Sequence, residues 1–394
     1  MNLARRLIHA RDPHILAAMN RSAHIGAISI FVAYDWLSPR KEVDVTKIPR
    51  RTMALAVALA AIIFSPAAFA QSANELQEKA KAEGALTFYS GGPAATWETT
   101  AKLFEERYPG IKVTLVGGFS NVLDSKITEQ LDRGAIEVDV AQLQSAQDFM
   151  RWKKRHALAQ FKPEGWEKIA PAWKDADGAF VAVRLSAICY GYNSKVLDHA
   201  DVPKSAPDFL KPMFRGRIIT AYPQDDDATL YLFGIITRKY GWGYWKRYMD
   251  NQPNFIQGHV GVARSISSGA SVATFDTIAS LSLPEKAAGE PQEISFSSVD
   301  GIPMFAGSMA VFRQAPHPNT ARLFLTWYLS VEQQRRLGTW SPRSDVQPAN
   351  LPPLNSFKHI DNYYAFLSDE RKLAALRARF AKIVGPVINK GDVR

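Results

Sequence analysis

Cysteine is almost absent from this sequence. The 394 residues contain a single one, Cys189, so the chain can form neither an internal disulfide bond nor a metal site built on cysteines. Cys189 stands in the apolar run 187–190, and no basic neighbour is present to favour its thiolate form. We predict a buried thiol that acts as a small hydrophobic side chain and not as a nucleophile.

The short motifs of several enzyme classes are also absent. The chain contains no G-x-x-x-x-G-K-[ST] phosphate loop, no G-x-S-x-G nucleophile turn and no H-E-x-x-H zinc motif. An enzyme remains an alternative, because a fold by itself does not exclude catalysis. The prediction is a protein without enzymatic activity, without a cofactor and without a metal site.

The charge balance gives little support to a nucleic-acid partner. Lys and Arg outnumber Asp and Glu by 48 to 38, a formal net charge of +10, but half of this excess lies in the first 70 residues. The remaining chain has no basic run interleaved with aromatic residues and no zinc-finger spacing. We therefore expect no binding to nucleic acid.

An apolar stretch at 53–64 has the flanks of a secretory signal. Three basic residues within 47–51 precede it, and the small residues Ala68 and Ala70 follow it. The stretch is shorter than the roughly 20 residues that span a bilayer, and no cysteine follows that could carry a lipid. We predict a signal peptide over 44–70, cleaved after Ala70, and a periplasmic protein. An uncleaved anchor helix is the alternative.

Two further features adjoin this signal. Residues 1–43 lie upstream of a complete signal and show no clear periodicity, which is typical of a start site placed too early. Arg50 and Arg51 resemble a twin-arginine export motif, although the residues after Met53 match that motif only loosely. The general secretory route is the preferred prediction.

Beyond residue 71, short apolar strands alternate with amphipathic helices. The first unit is a strand at 85–89, a Gly-Gly-Pro turn, and a helix whose apolar face holds Trp97, Ala101, Phe104 and Tyr108. Apolar runs at 180–192 and 302–312 predict longer strands. This alternation, in a chain longer than one typical core, predicts an α/β fold with parallel sheets and two lobes.

Several blocks of sequence resemble the periplasmic solute-binding proteins of ATP-driven (ABC) importers, in particular the group related to ferric-iron-binding proteins. The blocks are spread over 75–350 and lie at 86–91, 190–193, 214–217, 316–324 and 341–346. Each block is weak by itself, and the resemblance rests on their order and spacing.

The resemblance implies the type II periplasmic-binding-protein fold, in which two α/β lobes joined by two crossover strands close on a ligand by a hinge motion, like a Venus flytrap. It places 71–188 and 293–339 in lobe 1, 189–292 and 340–394 in lobe 2, and the crossovers near 186–189 and 294–296. It also implies a small polar or charged ligand, delivery to a membrane permease and its ATPase, and a monomer. A ligand-loaded protein that docks on a sensor receptor is the alternative.

The sequence departs from the iron-binding pattern of that group. Where the iron binders carry a pair of tyrosines after a strand resembling 272–275, this chain has Ile278, Ala279 and Ser280. Ferric iron requires several hard oxygen donors. The resemblance, read with this departure, implies an organic or oxyanion ligand and not bare iron.

Loops at the carboxyl ends of the predicted parallel strands are the candidate ligand contacts, because helix N-termini present free N–H groups there. In the first lobe the candidates are Ser90, Gly91, Gly92, Ser120, Gln144 and Ser145. The glycine pair is alternatively a simple tight turn. The polar residues of the other two loops alternatively cap the helices that follow.

In the second lobe the candidates are Tyr222, Asp225, Asp226, Arg264 and Asp276. Asp227 is the predicted N-cap of the next helix, which leaves the two preceding carboxylates for an amine, a cation or solvent.

The charge of the ligand stays open at this level. Asp276 adds to the case for a cation, whereas Arg184 and Arg264 would clamp a carboxylate or a phosphate. An exposed helix face is the alternative position for Arg264, and a surface loop is the preferred position for His259.

Overall fold

Strands and helices alternate along the chain, as the spacing of the apolar residues predicts. The computed structural model describes residues 66–388, so the extension 1–43 and most of the predicted signal peptide lie outside the described residues. The strands are β1 Ala85–Gly91, β2 Lys112–Gly118, β3 Val140–Leu143, β4 Val181–Asn193, β5 Ile219–Ala221, β6 Asn254–Ile256, β7 Ala273–Ile278, β8 Gln292–Ser295, β9 Ile302–Val311 and β10 His359–Ile360. The α-helices are α1 Pro66–Glu83, α2 Glu98–Arg107, α3 Ser120–Asp132, α4 Ala146–Lys154, α5 Asp227–Tyr240, α6 Gly243–Asp250, α7 His259–Ser267, α8 Ala279–Ala287, α9 Pro318–Tyr328, α10 Val331–Arg335, α11 Tyr363–Leu367 and α12 Glu370–Val384.

The central sheet has the strand order β2-β1-β3-β9-β4-β7, with β10 beside β9 and β8 beside β4. β1 is parallel to β2 and β3, whereas β9 is antiparallel to both β3 and β4. A second, parallel pair is formed by β5 and β6, and a bridge from Ile218 to Ala273 connects it to β7. The sheets are therefore mixed, with a parallel core in the N-terminal part.

β4 connects two lobes because its pairing partner changes along its length. Residues from Val181 to Ala187 pair with β9, and residues from Ile188 to Asn193 pair with β7 and β8. We call β1–β3 and β9 with their helices the first lobe, and β5–β8 with theirs the second lobe. The change falls between Ala187 and Ile188, inside the stretch in which the resemblance places a crossover.

Each lobe has its own aromatic core. In the first lobe, Phe324 of α9 packs against Phe88 and Phe104 with ring centroids 5.1 and 5.0 Å apart. In the second lobe, the ring of Phe275 lies 5.2 Å from Phe209 and 5.0 Å from Tyr248. Burial of rings of this size is the main favourable term in the stability of each lobe.

The C-terminal part of the chain contributes to both lobes, whereas the resemblance places all of 340–394 in the second. Trp340 forms a bridge with Leu185, and Arg343 forms one with Ile169, both against the first lobe. α12 does lie against the second lobe, where Phe380 packs 5.3 Å from Trp245. The sequence pattern cannot reveal this division, because the pairings of 340–346 are made with residues far away along the chain.

The structure also places the single cysteine. Cys189 is 1% exposed in β4, as predicted, and burial raises the pKa of its thiol. In the described part of the chain, no helix combines the length and the apolar character that crossing a membrane requires.

Glu83, the last residue of α1, caps the N-terminus of α9. Its carboxylate accepts hydrogen bonds of 2.6 to 3.1 Å from the backbone N–H groups and side chains of Asn319 and Thr320. Although burial alone would raise the pKa of Glu83, these bonds hold it below its usual value. The first N–H groups of a helix have no partner inside the helix, so this carboxylate replaces a conventional cap.

We expect Glu83→Ala to lower the free energy of unfolding by about 1 to 2 kcal/mol. The reason is that the substitution leaves the first N–H groups of α9 without an acceptor. Urea denaturation measures the loss, and Glu78→Ala, at an exposed position of the same helix, is the matched control. Equal losses in the two variants would contradict the capping role.

Candidate functional site

A polar cleft lies where the strands of the first lobe end. β1, β3 and β4 run in the same direction, and β4 continues into the second lobe. The loops after β1 and β3 therefore face that lobe, as expected for ligand sites at the carboxyl ends of parallel strands. On the other side of the cleft lie the loop 222–226, the loop 257–258 and the junction of β7 with α8.

Hydrogen bonds close the cleft near the loop after β3. Gln144 Nε2 donates to Asp226 Oδ2 over 3.1 Å, and Gln147 Nε2 donates to Asp227 Oδ2 over 2.5 Å. Each bond joins a first-lobe amide to a second-lobe carboxylate. The structure thus brings two predicted site residues, Gln144 and Asp226, into direct contact.

Two further contacts join the lobes. Ser186 of β4 and Ser280 of α8 have their hydroxyl oxygens 3.1 Å apart. Phe119 Cε1 lies 3.4 Å from the point that a Cβ on Gly258 would occupy. These contacts, together with the two amide bonds, describe a closed arrangement of the lobes.

The loop after β1 supplies only part of what the sequence suggests. Ser90 is fully buried, and its Oγ has no hydrogen-bond partner among the described residues. A Cβ on Gly91 would lie 3.4 Å from Ser120 Oγ, so these two candidates are neighbours. Gly92, however, donates its N–H to Gly118 O over 2.8 Å and has a φ of +91°. It forms the tight turn, and its amide is not free to bind a ligand.

The serines of the other two loops do not cap α3 or α4 through their side chains, which is the alternative role that the sequence left open. Phe119 is the N-cap residue of α3, and Ser145, the N-cap residue of α4, makes no side-chain bond to the helix backbone. Ser145 Oγ instead donates to Asp148. Burial, and then the charge of Asp124, raises the pKa of Asp148 to about 7.

The N-cap of α5 is Asp226 and not Asp227, so the sequence-based prediction was one residue off. Asp226 Oδ1 accepts hydrogen bonds from the N–H groups of Ala228 and Thr229, over 2.9 and 3.0 Å. Asp226 itself has extended backbone, with φ −122° and ψ 125°, and the first helical turn therefore begins one position earlier than the carboxylate pattern suggests.

The other two carboxylates of this loop also have protein partners. Asp227 accepts from Gln147 and from Arg377, and the exposed Asp225 accepts from Gln257. All three aspartates are occupied by the chain itself. This weakens the case for a cationic ligand that the acidic run suggested.

His259, expected on the surface, is buried between two carboxylates. Its Nε2 lies 3.0 Å from Asp276 Oδ1, and its Nδ1 lies 3.4 Å from Asp226 Oδ2. Burial alone would lower the pKa of His259, but the two negative charges raise it to about 10. Burial alone would likewise raise the pKa of Asp226, and the charge of His259 helps to lower it to about 2. The three side chains form a buried charge cluster, which we call the His259 cluster.

Asp276 lies inside the His259 cluster and not on the cleft surface. It is fully buried, and its Oδ2 accepts from Thr220 Oγ1, Ala221 N and Thr229 Oγ1 over 2.8 to 3.0 Å. Its other oxygen faces His259. Because protein groups occupy both oxygens, the ligand contact expected of Asp276 is not available in this structure.

The side chains of the two remaining candidates lie apart from these contacts. Tyr222 is 4% exposed and packs its ring 5.5 Å from that of Phe255, while its backbone oxygen accepts from the N–H of Asp226 over 3.0 Å. Arg264 is exposed on α7, in the alternative position that the sequence allows, and pairs with no carboxylate among the described residues. Only Tyr222, through its backbone, is joined to the Gln144–Asp226 contact.

The junction of β7 and α8 carries no phenol, in line with the departure from the iron pattern. Ile278 ends β7, and Ser280 uses its hydroxyl in the contact with Ser186. Within the described residues, no group of three or more His, Cys, Asp or Glu side chains is arranged to hold a metal ion.

An open groove of about 690 Å³ lies elsewhere, between α4, the segment 171–176 and α11. Four of its charged residues pair with one another, Lys153 with Asp175 and Lys154 with Glu370. The cleft between the lobes, where buried polar groups lack partners, is therefore the better candidate for a ligand site.

Two α/β lobes that share β4 and close over a polar cleft define a type II periplasmic binding protein. Residues 99–351 match the family model described as bacterial extracellular solute-binding protein. This match covers more than half of the chain, and the chain belongs to that family. No curated protein matches the chain.

Solved structures share the fold at low sequence identity. Iron-bound HitA from Pseudomonas aeruginosa is 21% identical, with a TM-score of 0.64 over 75% of this chain and 99% of its own. AfuA from Actinobacillus pleuropneumoniae, with fructose-6-phosphate bound, is 20% identical, with a TM-score of 0.65 over 76% of this chain and 98% of its own. The substrate-binding protein of an ABC transporter from Agrobacterium tumefaciens is 15% identical, with a TM-score of 0.66 over 76% and 94%.

Proposed function

We propose that this protein is the periplasmic solute-binding component of an ABC importer. It captures a small polar or charged solute between its lobes and delivers it, as a monomer, to a membrane permease and its ATPase. The signal pattern at 44–70, with cleavage after Ala70, supports export. The observation that carries the proposal is the pair of amide–carboxylate bonds that join the lobes across the cleft.

These bonds suit a protein that alternates between open and closed states. They are made by side chains at the surfaces of two separate lobes, so a hinge motion breaks them without unfolding either core. A solute that contacts both lobes favours the closed state by its differential affinity for that state. The permease then recognises the closed form.

The structural relatives support binding and not catalysis. One of them holds iron and another holds fructose-6-phosphate, both at about one-fifth identity, so the fold accommodates ligands of different chemistry. The chain has no enzyme motif in its sequence. We therefore propose that the bound solute is released chemically unchanged.

A thermal-shift screen tests the proposal. The purified protein is scanned with amines, amino acids, dicarboxylates, phosphonates, sugar phosphates and ferric citrate. A true ligand at a hundred times its dissociation constant is expected to add about 2.7 kcal/mol to the free energy of unfolding. Recovery of the unaltered solute after denaturation then separates binding from turnover.

A cleft variant locates the site. Gln144→Ala removes the bond to Asp226 and is expected to weaken solute affinity about fivefold, because a hydrogen bond of this kind contributes about 1 kcal/mol to the closed state. Gln160→Ala, at an exposed position, is the matched control. A solute that binds equally well to both variants would place the site outside this cleft, and no stabilisation by any class would reject the proposal.

A further inference from the structure

Arg184 is a cation of β4 without a protein counter-charge. It forms no ion pair and no hydrogen bond with any described residue, while its guanidinium lies 5.3 Å from the centroid of the Trp97 ring. Burial lowers the pKa of Arg184 below its usual value. Arg184 is partly buried and keeps its charge, as arginines in proteins do. Partial removal of an unpaired charge from water has a cost that a bound counter-charge would offset.

Two donor groups lie side by side against Gly307. The point that a Cβ on Gly307 would occupy is 2.9 Å from Arg184 Cγ and Nε and 2.4 Å from Gln142 Nε2, so these two side chains fill the space directly over the glycine. Both nitrogen atoms are N–H donors. Gly307 therefore brings the two donors together, because a side chain at this position would push them apart.

Two buried polar atoms close to this pair of donors lack hydrogen-bond partners among the described residues. Ser90 and Gln142 are register partners on adjacent strands, so their side chains lie on the same face of the sheet. Ser90 is fully buried and Gln142 is 1% exposed. Ser90 Oγ and Gln142 Oε1 both lack a hydrogen-bond partner among the described residues. Buried polar atoms without partners are rare in native proteins and point to an absent ligand or water.

The second lobe borders the same place. Ser186 stands two positions after Arg184 on β4, hence on the same face, and its hydroxyl contacts Ser280 in the first turn of α8. Asp226 and Asp276, the second-lobe carboxylates of the His259 cluster, are held by His259 and do not pair with Arg184. Because Ser186 contacts the second lobe, the donors beside Gly307 adjoin the cleft.

We propose that Arg184, with Gln142 and Ser90, binds an oxoanion group of the solute, a carboxylate or a phosphate, beside the place where Arg184 and Gln142 pack on Gly307. The inference rests on the proposed function and assigns the ligand class that the sequence leaves open. Arg184 supplies the charge and charge-assisted hydrogen bonds, which are the stronger class of hydrogen bond. The neutral donors complete the coordination of the oxygens, and Trp97 contributes a cation–π contact to the guanidinium.

Pairs of an anionic compound and a neutral compound of similar structure test the ligand class. The purified protein is titrated with fructose 6-phosphate against fructose, with succinate against succinamide, with inorganic phosphate and with putrescine. The expected result is binding of at least one anionic member and no binding of its neutral partner or of putrescine. The two pairs separate a phosphate from a carboxylate.

Variants assign the effect to Arg184. Arg184→Met is expected to weaken binding of the anion by about 10- to 100-fold, in line with charge-assisted bonds, and Arg184→Lys by less. Gly307→Ala places a methyl group at the meeting point of the donors and is expected to cause a similar loss without changing any charge. Arg107→Met is the matched control, because Arg107 also lies 5.3 Å from an aromatic ring, that of Tyr108, but is exposed.

The ligand-free protein gives a readout that needs no known solute. If an anion of the solute is the counter-charge of Arg184, the ligand-free protein carries an unpaired charge at this position. Arg184→Met removes this charge and is then expected to raise the melting temperature by about 2 to 4 °C. A lower melting temperature than that of the parent would identify a structural cation and overturn the inference. Binding of fructose, succinamide or putrescine with Arg184→Met unchanged would overturn it too, while leaving the proposed function intact.

Discussion

Replacement of His259 by leucine is expected to lower the free energy of unfolding by about 3 to 5 kcal/mol, because it leaves two carboxylates in the interior without their cation. The imidazolium faces Asp276 at 3.0 Å and Asp226 at 3.4 Å. These two aspartates also hold the start of α5 and the end of β5. Loss of the cation therefore disturbs three elements of the second lobe together.

Urea denaturation followed by tryptophan fluorescence measures this loss. His199→Leu, at an exposed position, is the matched control and is expected to change stability by less than about 0.5 kcal/mol. Equal midpoints for His259→Leu and His199→Leu would contradict the role assigned to the cluster.

The same cluster predicts how stability depends on pH. The pKa of His259 rises from 6.5 to about 10 on folding, so its contribution is complete below pH 6.5 and is lost as the pH rises through about 10. The pKa of Asp226 falls from 3.8 to about 2, so its contribution is complete above pH 3.8 and is lost as the pH falls through about 2. The cluster stabilises the fold most between pH 3.8 and 6.5.

To isolate this effect, the free energy of unfolding of the parent and of His259→Leu is measured at pH 6 and at pH 10. The difference between the two proteins is then compared at the two pH values. We expect the difference to shrink markedly at pH 10, because the unfolded state has already lost the proton that the folded state still has to release. A difference that is the same at both pH values would show that His259 is neutral in the folded protein.

Phe275→Ala is expected to cost about 3 to 5 kcal/mol, the usual range for removing a buried phenylalanine ring. Phe275 is fully buried and touches the rings of Phe209, Phe233, Trp245 and Tyr248. These rings come from separate segments of the second lobe, so a cavity at their centre cannot be filled by the movement of one side chain.

Urea denaturation measures this cost as well. Phe255→Ala is the matched control, since Phe255 lies on β6 with part of its ring exposed, and it is expected to lose less than half as much. Phe275 directly precedes Asp276 in β7, and the two side chains point to opposite faces of the strand. The ring holds the backbone of β7 from one face while Asp276 bonds on the other, and we expect a shift of this strand in Phe275→Ala to weaken the pH dependence described above. Retention of full stability would contradict a central role for this ring.

Local sequence signals predicted most of the elements that position the cleft. The apolar run 180–192 became β4, and the run 302–312 became β9. The helix predicted after the acidic run at 225–227 is α5. These signals succeed because strand and helix periodicity depend on neighbours within a few positions.

Predictions that depend on the exact position of a single residue were less accurate. Asp227 was the predicted N-cap of α5, and the cap is Asp226. A rule based on local sequence cannot distinguish two adjacent aspartates. Their partners across the cleft differ, because Gln144 bonds to Asp226 and Gln147 bonds to Asp227.

The candidate site was predicted in outline, and its chemistry was not. Sequence reasoning placed His259 on the surface because it stands in a glycine-containing loop, and it assigned Asp276 to the ligand because of its position at a strand end. The structure joins the two residues over 3.0 Å. No local pattern shows this pairing, because α7 and β7 meet only after the second lobe has folded.

The sequence by itself determined the α/β character of this protein and most of its strands and helices, since each depends on composition and short-range spacing. Only the tertiary structure decided which charges have partners inside the protein. Asp226 and Asp276 face His259, Asp227 pairs with Arg377, and Asp226 and Asp227 also accept from amide groups, whereas Arg184 has no counter-charge among the described residues. The physical reason is that a charge acquires its role from partners within a few ångströms, and those partners come from distant parts of the chain.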